Sequence, residues 1–66
     1  MAADYKAEFE NAVATAATML ALRVRIDGRE HWIPQSVIDE DSEVYRVGDT
    51  GKLVVAEWWA IKEGLV

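Results

Sequence analysis

The chain has 66 residues, a formal net charge of −5, one histidine and no cysteine. This length fits one domain spanning residues 1–66. The lack of cysteine excludes disulfides and cysteine-based zinc sites, and the 52% hydrophobic content argues against disorder. No apolar run approaches the roughly 18 residues that cross a bilayer, and the N-terminus lacks the basic region of a signal peptide. We therefore expect a soluble cytoplasmic protein.

The negative charge is concentrated in one segment. Residues 39–49 hold five acidic residues against one arginine, a net of −4, whereas residues 1–30 hold five against four bases, a net of −1. Such a field repels phosphate backbones, so direct binding of nucleic acid is disfavoured. The same field would attract a basic groove on another protein.

The first sixteen residues fit two structures. Alternation of apolar and polar side chains from Tyr5 to Val13 fits a strand, whereas Tyr5, Phe9 and Ala16 also fit one stripe of a helix. The alanines favour the helix intrinsically. A strand that runs up to a turn near Thr15–Thr18 would give a continuous meander, and we favour this interpretation.

The next residues predict a β-hairpin. Apolar residues alternate along the chain up to Ile26, and Asp27–Gly28 is the strongest short hairpin signal because a type I′ turn needs positive φ at both positions. A two-residue loop fixes the register by counting. The predicted pairs are Ile26–Arg29, Arg25–Glu30, Val24–His31, Arg23–Trp32 and Leu22–Ile33. This register opposes unlike charges in Arg25–Glu30 and allows a cation–π contact in Arg23–Trp32.

Shorter elements are predicted beyond the hairpin. Pro34 ends the second strand because it cannot donate a ladder hydrogen bond. Gln35–Ile38 is predicted as a turn, and one of its last two residues should enter the core. Glu43–Val47 and Lys52–Val55 are predicted strands, separated by a turn at Gly48–Gly51.

The predicted fold class is α+β. It comprises a small antiparallel sheet of three to five strands, as a half-open barrel or a meander, with a short C-terminal helix across it. The helix is predicted at Glu57–Glu63 and stops at Gly64, the C′ position where helices commonly end.

Three tryptophans are many for so short a chain. On the predicted helix, Trp58, Ile61 and Leu65 fall on one face, while Trp59 points elsewhere. One of the two adjacent tryptophans should therefore be exposed, and we select Trp59 and the hairpin's Trp32 as candidate interface anchors.

The acidic cluster contains Asp39, Glu40, Asp41 and Glu43. It is either a phosphate-mimicking patch that docks on basic residues or a solvated loop that keeps a small protein soluble. Replacing all four carboxylates with amides is expected to preserve folding. The cluster lacks the glycine and glutamate spacing of a calcium loop, so no metal is expected.

No catalytic site or cofactor is predicted. His31 has no cysteine or serine arranged beside it in sequence. Asp49–Gly51 matches the triplet of aspartic proteases, but the chain is far too short for that site and a turn explains the triplet better. Arg23, Arg25 and Arg29 could form a basic strip for nucleic acid, although the hairpin pairing already engages two of them.

Several motifs resemble a family of small phage and prophage proteins. The family typically has a hairpin ending in Trp-Ile/Leu-Pro-x-Ser, then an acidic stretch, then a Trp-containing helix ending in Gly-Leu. The matching segments are Arg25–Ile38, Asp41–Val44, Gly48–Val55, Glu57–Ala60 and Glu63–Leu65. The similarity covers about residues 17–66, and the alanine-rich residues 1–16 depart from the pattern. Within this group the chain resembles type I-C anti-CRISPR inhibitors.

The resemblance implies a small inhibitor that is not an enzyme and binds a host defence protein in the bacterial cytoplasm. It would block target-DNA binding by a Cascade-type complex, as a DNA mimic bound to a basic groove of an effector subunit. The expected contacts are Asp39, Glu40, Asp41, Glu43, Trp32 and Trp59. The protein would act as a monomer or weak homodimer, without cofactor, membrane or direct nucleic acid. The alternative is a small barrel-like module that binds nucleic acid through Trp32 and the arginine strip.

Overall fold

Residues 5–66, which the computed structural model describes, form a four-stranded antiparallel sheet with one short helix. The predicted sheet-rich α+β class with a C-terminal helix is confirmed. Residues 1–4, included in the predictions for the first sixteen, lie outside the described residues. The elements are β1 (Lys6–Ala17), β2 (Ala21–Ile26), β3 (Arg29–Pro34), a 3₁₀ turn (Gln35–Val37), β4 (Thr50–Ala56) and α1 (Glu57–Lys62).

The strand order is β3-β2-β1-β4. The first three strands form a meander, and β4 returns after a long connection to lie beside β1, which is the Greek-key order. The sheet stays open because its edge strands, β3 and β4, do not pair with each other. The chain is therefore neither a closed barrel nor a meander throughout.

The N-terminal segment is a strand, as we favoured. β1 pairs with β2 on one side and β4 on the other, so tertiary hydrogen bonding overrides the helix preference of its alanines. Ala12 and Ala14 of this strand are buried in the hydrophobic core. Register shifts near Asn11 and Thr15 bend this long strand, and Asn11 has a positive φ of 57°.

The β2–β3 hairpin has the predicted register at every predicted pair. Asp27 and Gly28 have φ values of 52° and 81°, as a type I′ turn requires. The charged pair forms on the outer face, with Arg25 Nη2 3.2 Å from a Glu30 carboxylate oxygen.

The hydrophobic core lies on one face of the sheet. Leu22 and Val24 of β2 alternate with half-exposed or exposed neighbours, which is the predicted period of two. The loop between β3 and β4 and the helix cover this face. The largest fully buried side chains of this core are Leu22, Ile33, Leu53, Val24, Val44 and Val55, while Val54 is buried outside this cluster.

Most shorter elements are confirmed with small shifts. β3 ends at Pro34, and both Val37 and Ile38 are buried after it. The predicted strand at 52–55 extends to Thr50–Ala56, so the turn predicted at Gly48–Gly51 loses its second half to β4.

The strand predicted at Glu43–Val47 is wrong. This segment is a loop, because the Asp49 carboxylate accepts hydrogen bonds from the backbone N–H groups of Tyr45 at 3.0 Å and Arg46 at 2.9 Å. These side-chain bonds satisfy donors that a strand would direct to a neighbour. They also lower the pKa of Asp49. Val44 still enters the core from the loop.

The helix stops as predicted. Gly64, at C′, has a φ of 76°. Its N–H donates to Ile61 O at 3.1 Å, and the N–H of Leu65 donates to Ala60 O at 2.8 Å, which is a Schellman motif.

The selection of Trp59 as an interface anchor does not fit the structure. Trp59 is 5% exposed and packs in the core with Ala60, whereas Trp58 is 62% exposed and Ile61 is also exposed. The helix follows β4 without a loop, with Ala56 as its N-cap residue. The course of β4 therefore fixes which side of the helix meets the sheet, and the sequence pattern of the helix alone did not contain this constraint.

We expect truncation of the two adjacent tryptophans to lower the free energy of unfolding by very different amounts. We expect Trp59→Ala to destabilise the fold by about 3–5 kcal/mol, because it empties a large core volume. Trp58→Ala should change the unfolding free energy by no more than about 0.5 kcal/mol. Urea unfolding followed by circular dichroism measures both. Similar losses in the two variants would contradict the assigned orientation of the helix.

Candidate functional site: an acidic segment along β4

Residues 39–43, which we call the acidic segment, lie along the outer edge of β4. Ile38 forms an isolated bridge with β4, and Asp39 N donates to Val54 O at 2.8 Å. Further along, Glu43 N donates to Lys52 O at 2.8 Å. The acidic segment therefore covers an edge that would otherwise present unpaired backbone groups.

Ser42 is the buried polar residue of this segment, and sequence analysis missed it. Its hydroxyl accepts from the N–H groups of Val44 and Val54, each at 3.2 Å, and donates to Val44 O at 3.1 Å. A small hydroxyl residue amid carboxylates is the sequence signal for such a local turn.

Asp39 is held from two directions. One oxygen lies 3.2 Å from Lys6 Nζ, and the other accepts from Asp41 N at 2.8 Å. The backbone bond from Asp41, followed by the interaction with Lys6, lowers the pKa of Asp39. The hydrogen bond and charge of Asp39 raise the pKa of Lys6 in turn. With its side chain only 21% exposed, Asp39 serves to dock the segment.

Glu43 is also engaged. Its Oε1 accepts from Lys52 N at 2.8 Å. The same oxygen occupies the space beside Gly51, where an added Cβ would lie 2.5 Å from it. This carboxylate therefore completes the hydrogen bonding of β4. From these contacts we expect folding to weaken when Asp39 and Glu43 are neutralised, whereas the sequence alone predicts that folding is preserved.

Glu40 and Asp41 are the carboxylates that the segment presents to solvent. Glu40 is exposed and makes no hydrogen bond or ion pair with any residue in 5–66. The Asp41 side chain is 74% exposed, with one oxygen 3.7 Å from Lys6 Nζ. The carboxylates of these two accept no backbone hydrogen bond among residues 5–66, whereas those of Asp39 and Glu43 each accept one.

Tyr45 borders the acidic segment and was not singled out from the sequence. Its hydroxyl donates to Asp39 O at 2.6 Å. Desolvation, followed by the charges of the nearby carboxylates, raises the pKa of Tyr45. The ring is partly exposed, so it extends the surface with an aromatic edge.

The exposed aromatic of the helix follows the end of β4. Lys6, which binds Asp39, pairs with Ala56 at the end of β4. Glu57 N donates to Tyr5 O at 3.0 Å, and Trp58 follows as the first exposed aromatic of the helix. The exposed aromatic at this end of β4 is therefore Trp58 rather than Trp59.

Trp32 belongs to a different surface. It is 50% exposed on β3, at the sheet edge opposite β4, with the Arg23 guanidinium carbon 5.7 Å from its ring centroid. Glu30 binds Arg23 at 2.7 Å and Arg25 at 3.2 Å, and it accepts from Thr15 Oγ1 at 2.8 Å. The Thr15 bond, followed by that of Arg25, lowers the pKa of Glu30. The structure thus does not bring Trp32 together with the acidic segment.

His31 lines an open cleft of about 320 Å³ between the hairpin tip and the end of the helix. Phe9 and Leu65 contribute apolar walls, and Arg29 and Glu63 contribute charges. Within residues 5–66, no group of three or more potential ligands is placed to hold a metal ion, and no helix could cross a membrane.

Comparison of the chain with protein-family models, curated proteins and solved structures found no match.

The Ser42 hydroxyl predicts a measurable stability cost. Ser42→Ala leaves the buried N–H of Val54 without its acceptor, so we expect a loss of about 1–3 kcal/mol in urea unfolding. Ser36→Ala is the matched control because Ser36 is exposed. Equal stability of the two variants would contradict this role.

The Asp39 interactions predict a pH dependence. The pKa of Asp39 is below its ordinary value of 3.8 in the folded protein, so its stabilisation is present above that value and is lost as pH falls through the folded pKa. We expect the parent to lose more unfolding free energy than Asp39→Asn between about pH 5 and pH 2. Glu30 and Asp49 titrate in both chains, so the difference reports Asp39. If the unfolding free energies of the parent and Asp39→Asn fall in parallel with pH, the charge of Asp39 does not stabilise the fold.

Proposed function

We propose that this chain is a small non-enzymatic inhibitor that binds a basic DNA-binding groove of a host defence protein in the bacterial cytoplasm. This is the activity implied by its resemblance to phage-encoded anti-CRISPR proteins. The observation that carries the proposal is the fixed backbone of the acidic segment, which is hydrogen bonded along β4 from Asp39 to Glu43. A charge array held in place costs less ordering entropy on binding than a mobile loop.

The presented carboxylates supply the electrostatic part of the interface. Glu40 and Asp41 project from a segment whose other acids are engaged in holding it, within a protein of net charge −5. A groove that binds phosphates carries condensed positive charge, which carboxylates attract and orient at long range. We therefore expect fast, salt-sensitive association with such a groove.

An exposed aromatic on the helix that follows β4 supplies the apolar part of the proposed interface. Trp58 is 62% exposed at the end of the molecule where Lys6 fastens Asp39. Tryptophan is enriched among the residues that dominate binding energy, usually surrounded by polar contacts. Trp58 replaces Trp59 in the proposed interface, since the latter is buried.

The nucleic-acid alternative uses the other edge of the sheet. Trp32 with Arg23 above it resembles a stacking platform for bases. However, Glu30 binds both Arg23 and Arg25, so part of the positive charge is already compensated. A gel shift at low salt separates the two functions. Micromolar binding to single-stranded DNA or RNA favours the platform, and no shift favours a protein partner.

Neutralising the presented carboxylates tests the proposal. We expect Glu40→Gln/Asp41→Asn to weaken binding to a purified type I-C Cascade-type complex at least about tenfold, or about 1.4 kcal/mol. The fold should remain intact because neither side chain secures the acidic segment to β4. The measurement is biolayer interferometry at two salt concentrations, alongside inhibition of target-DNA binding.

Asp27→Asn/Glu63→Gln is the matched control. It removes the same charge from exposed positions at the hairpin tip and the helix end, and Asn-Gly preserves the turn. We expect this variant to bind within about twofold of the parent. Failure of the parent to bind the complex would refute the inhibitor proposal. Equal binding by both double variants would instead place the interface away from the acidic segment.

A further inference from the structure

The two edges of the sheet differ in whether another part of the chain covers them. The edge of β4 is covered by the acidic segment, whereas no strand or loop bridge in residues 5–66 pairs with the outer side of β3. A bare edge strand is a template for pairing with another chain unless charge, proline or a cover protects it. β3 carries one charge of each sign, Arg29 and Glu30, and ends at Pro34.

The register identifies the backbone groups that β3 directs outward. In a hairpin with a two-residue loop, Ile26 and Arg29 form a hydrogen-bonded pair, and such pairs recur at every second position. The bond from Gln35 N to Leu20 O, at 2.8 Å, follows the same alternation. Glu30 and Trp32 fall at the intervening positions, so their N–H and C=O groups point away from β2.

We propose that β3 pairs with β3 of a second copy of this chain, antiparallel about a two-fold axis at His31, which joins the two sheets into one of eight strands. This inference is independent of the proposed inhibitor function. Glu30 of each copy then exchanges two backbone hydrogen bonds with Trp32 of the other. All the outward donors and acceptors of these two residues are satisfied in both copies.

The side chains favour this register over its neighbours. Centring the axis on Trp32 would place Glu30 opposite Pro34, which has no N–H to donate to the Glu30 carbonyl. Centring it on Glu30 would oppose two carboxylates. At His31, Glu30 faces Trp32 on the outer face and Arg29 faces Ile33 on the inner face, so no like charges are directly opposed.

The charge distribution suits a second copy, because pairing through β3 places the two acidic segments at the far edges of the joined sheet and brings together hairpins of small net charge. Residues 21–34 hold three arginines against two acids, a net of +1, whereas the whole chain carries −5. The half-exposed Trp32 would lose part of its solvent contact in this arrangement, because Glu30 of the other copy lies beside it.

A cysteine at the axis tests the register, since the chain has no cysteine of its own. Symmetry-related residues at 31 form a non-hydrogen-bonded pair with Cα atoms about 4.5 Å apart, within disulfide range. We expect His31→Cys to give a disulfide-linked dimer under mild oxidation. Arg29→Cys is the control on the same strand and face, because its symmetry mate lies about 13 Å away along the strands. Equal crosslinking of both variants, or none of His31→Cys, would overturn the proposal.

A second pair of variants separates the contribution of the backbone N–H at position 32 from that of the indole side chain. Trp32→Thr and Trp32→Pro both remove the indole, but only proline removes the outward N–H, and proline is tolerated at edges. We expect sedimentation equilibrium to show a dimer dissociation constant about tenfold higher for the proline variant than for the threonine variant.

If the proline variant does not fold, amide hydrogen exchange of the parent protein tests the proposal instead. Exchange at Glu30 and Trp32 should slow as protein concentration rises, while His31 and Ile33 stay protected throughout. Exchange at Glu30 and Trp32 that is independent of concentration would overturn the proposal. Protection that appears only when a different protein is added would also overturn it.

Discussion

The pairing of β1 with strands on both of its sides is the constraint on which the rest of the molecule depends. β1 contacts β2, its neighbour in sequence, and β4, which comes more than thirty residues after β1 ends. This second ladder fixes the position of β4, and β4 in turn positions the acidic segment on its outer edge and the helix at its end. Ala12 and Ala14 suit this central role, because small side chains let the covering loop and helix approach the sheet.

Features set by local chemistry could be predicted from the sequence. The hairpin register followed from Asp27–Gly28 alone, because a two-residue turn fixes every later pair. The helix stop at Gly64 followed from the same kind of local requirement for positive φ. Features set by distant partners could not be predicted in this way. The side of the helix that faces the sheet depends on the course of β4, so the sequence alone could not show which of Trp58 and Trp59 is exposed.

The acidic segment shows why a charge count is a poor guide to a binding surface. From the sequence its four carboxylates are equivalent, and their summed charge suggested one uniform patch. In the fold, the carboxylates of Asp39 and Glu43 each accept a backbone hydrogen bond, whereas those of Glu40 and Asp41 accept none among residues 5–66. The choice between a solubilising loop and a functional patch therefore applies to individual residues within one segment. Buried Ser42 belongs to the same scaffold, although it carries no charge.

The Greek-key order also affects how the chain reaches its fold. The β2–β3 hairpin closes a loop of two residues, whereas the β1–β4 ladder must close a loop of more than thirty, at a larger cost in chain entropy. Non-local pairing of this kind slows folding relative to helical chains of similar size. Until β4 arrives, one side of β1 is bare and the core lacks Leu53, Val55 and Trp59. Because β4 follows the other three strands in the sequence, the sheet of a nascent chain is exposed to wrong strand pairing until residues 50–56 have left the ribosome.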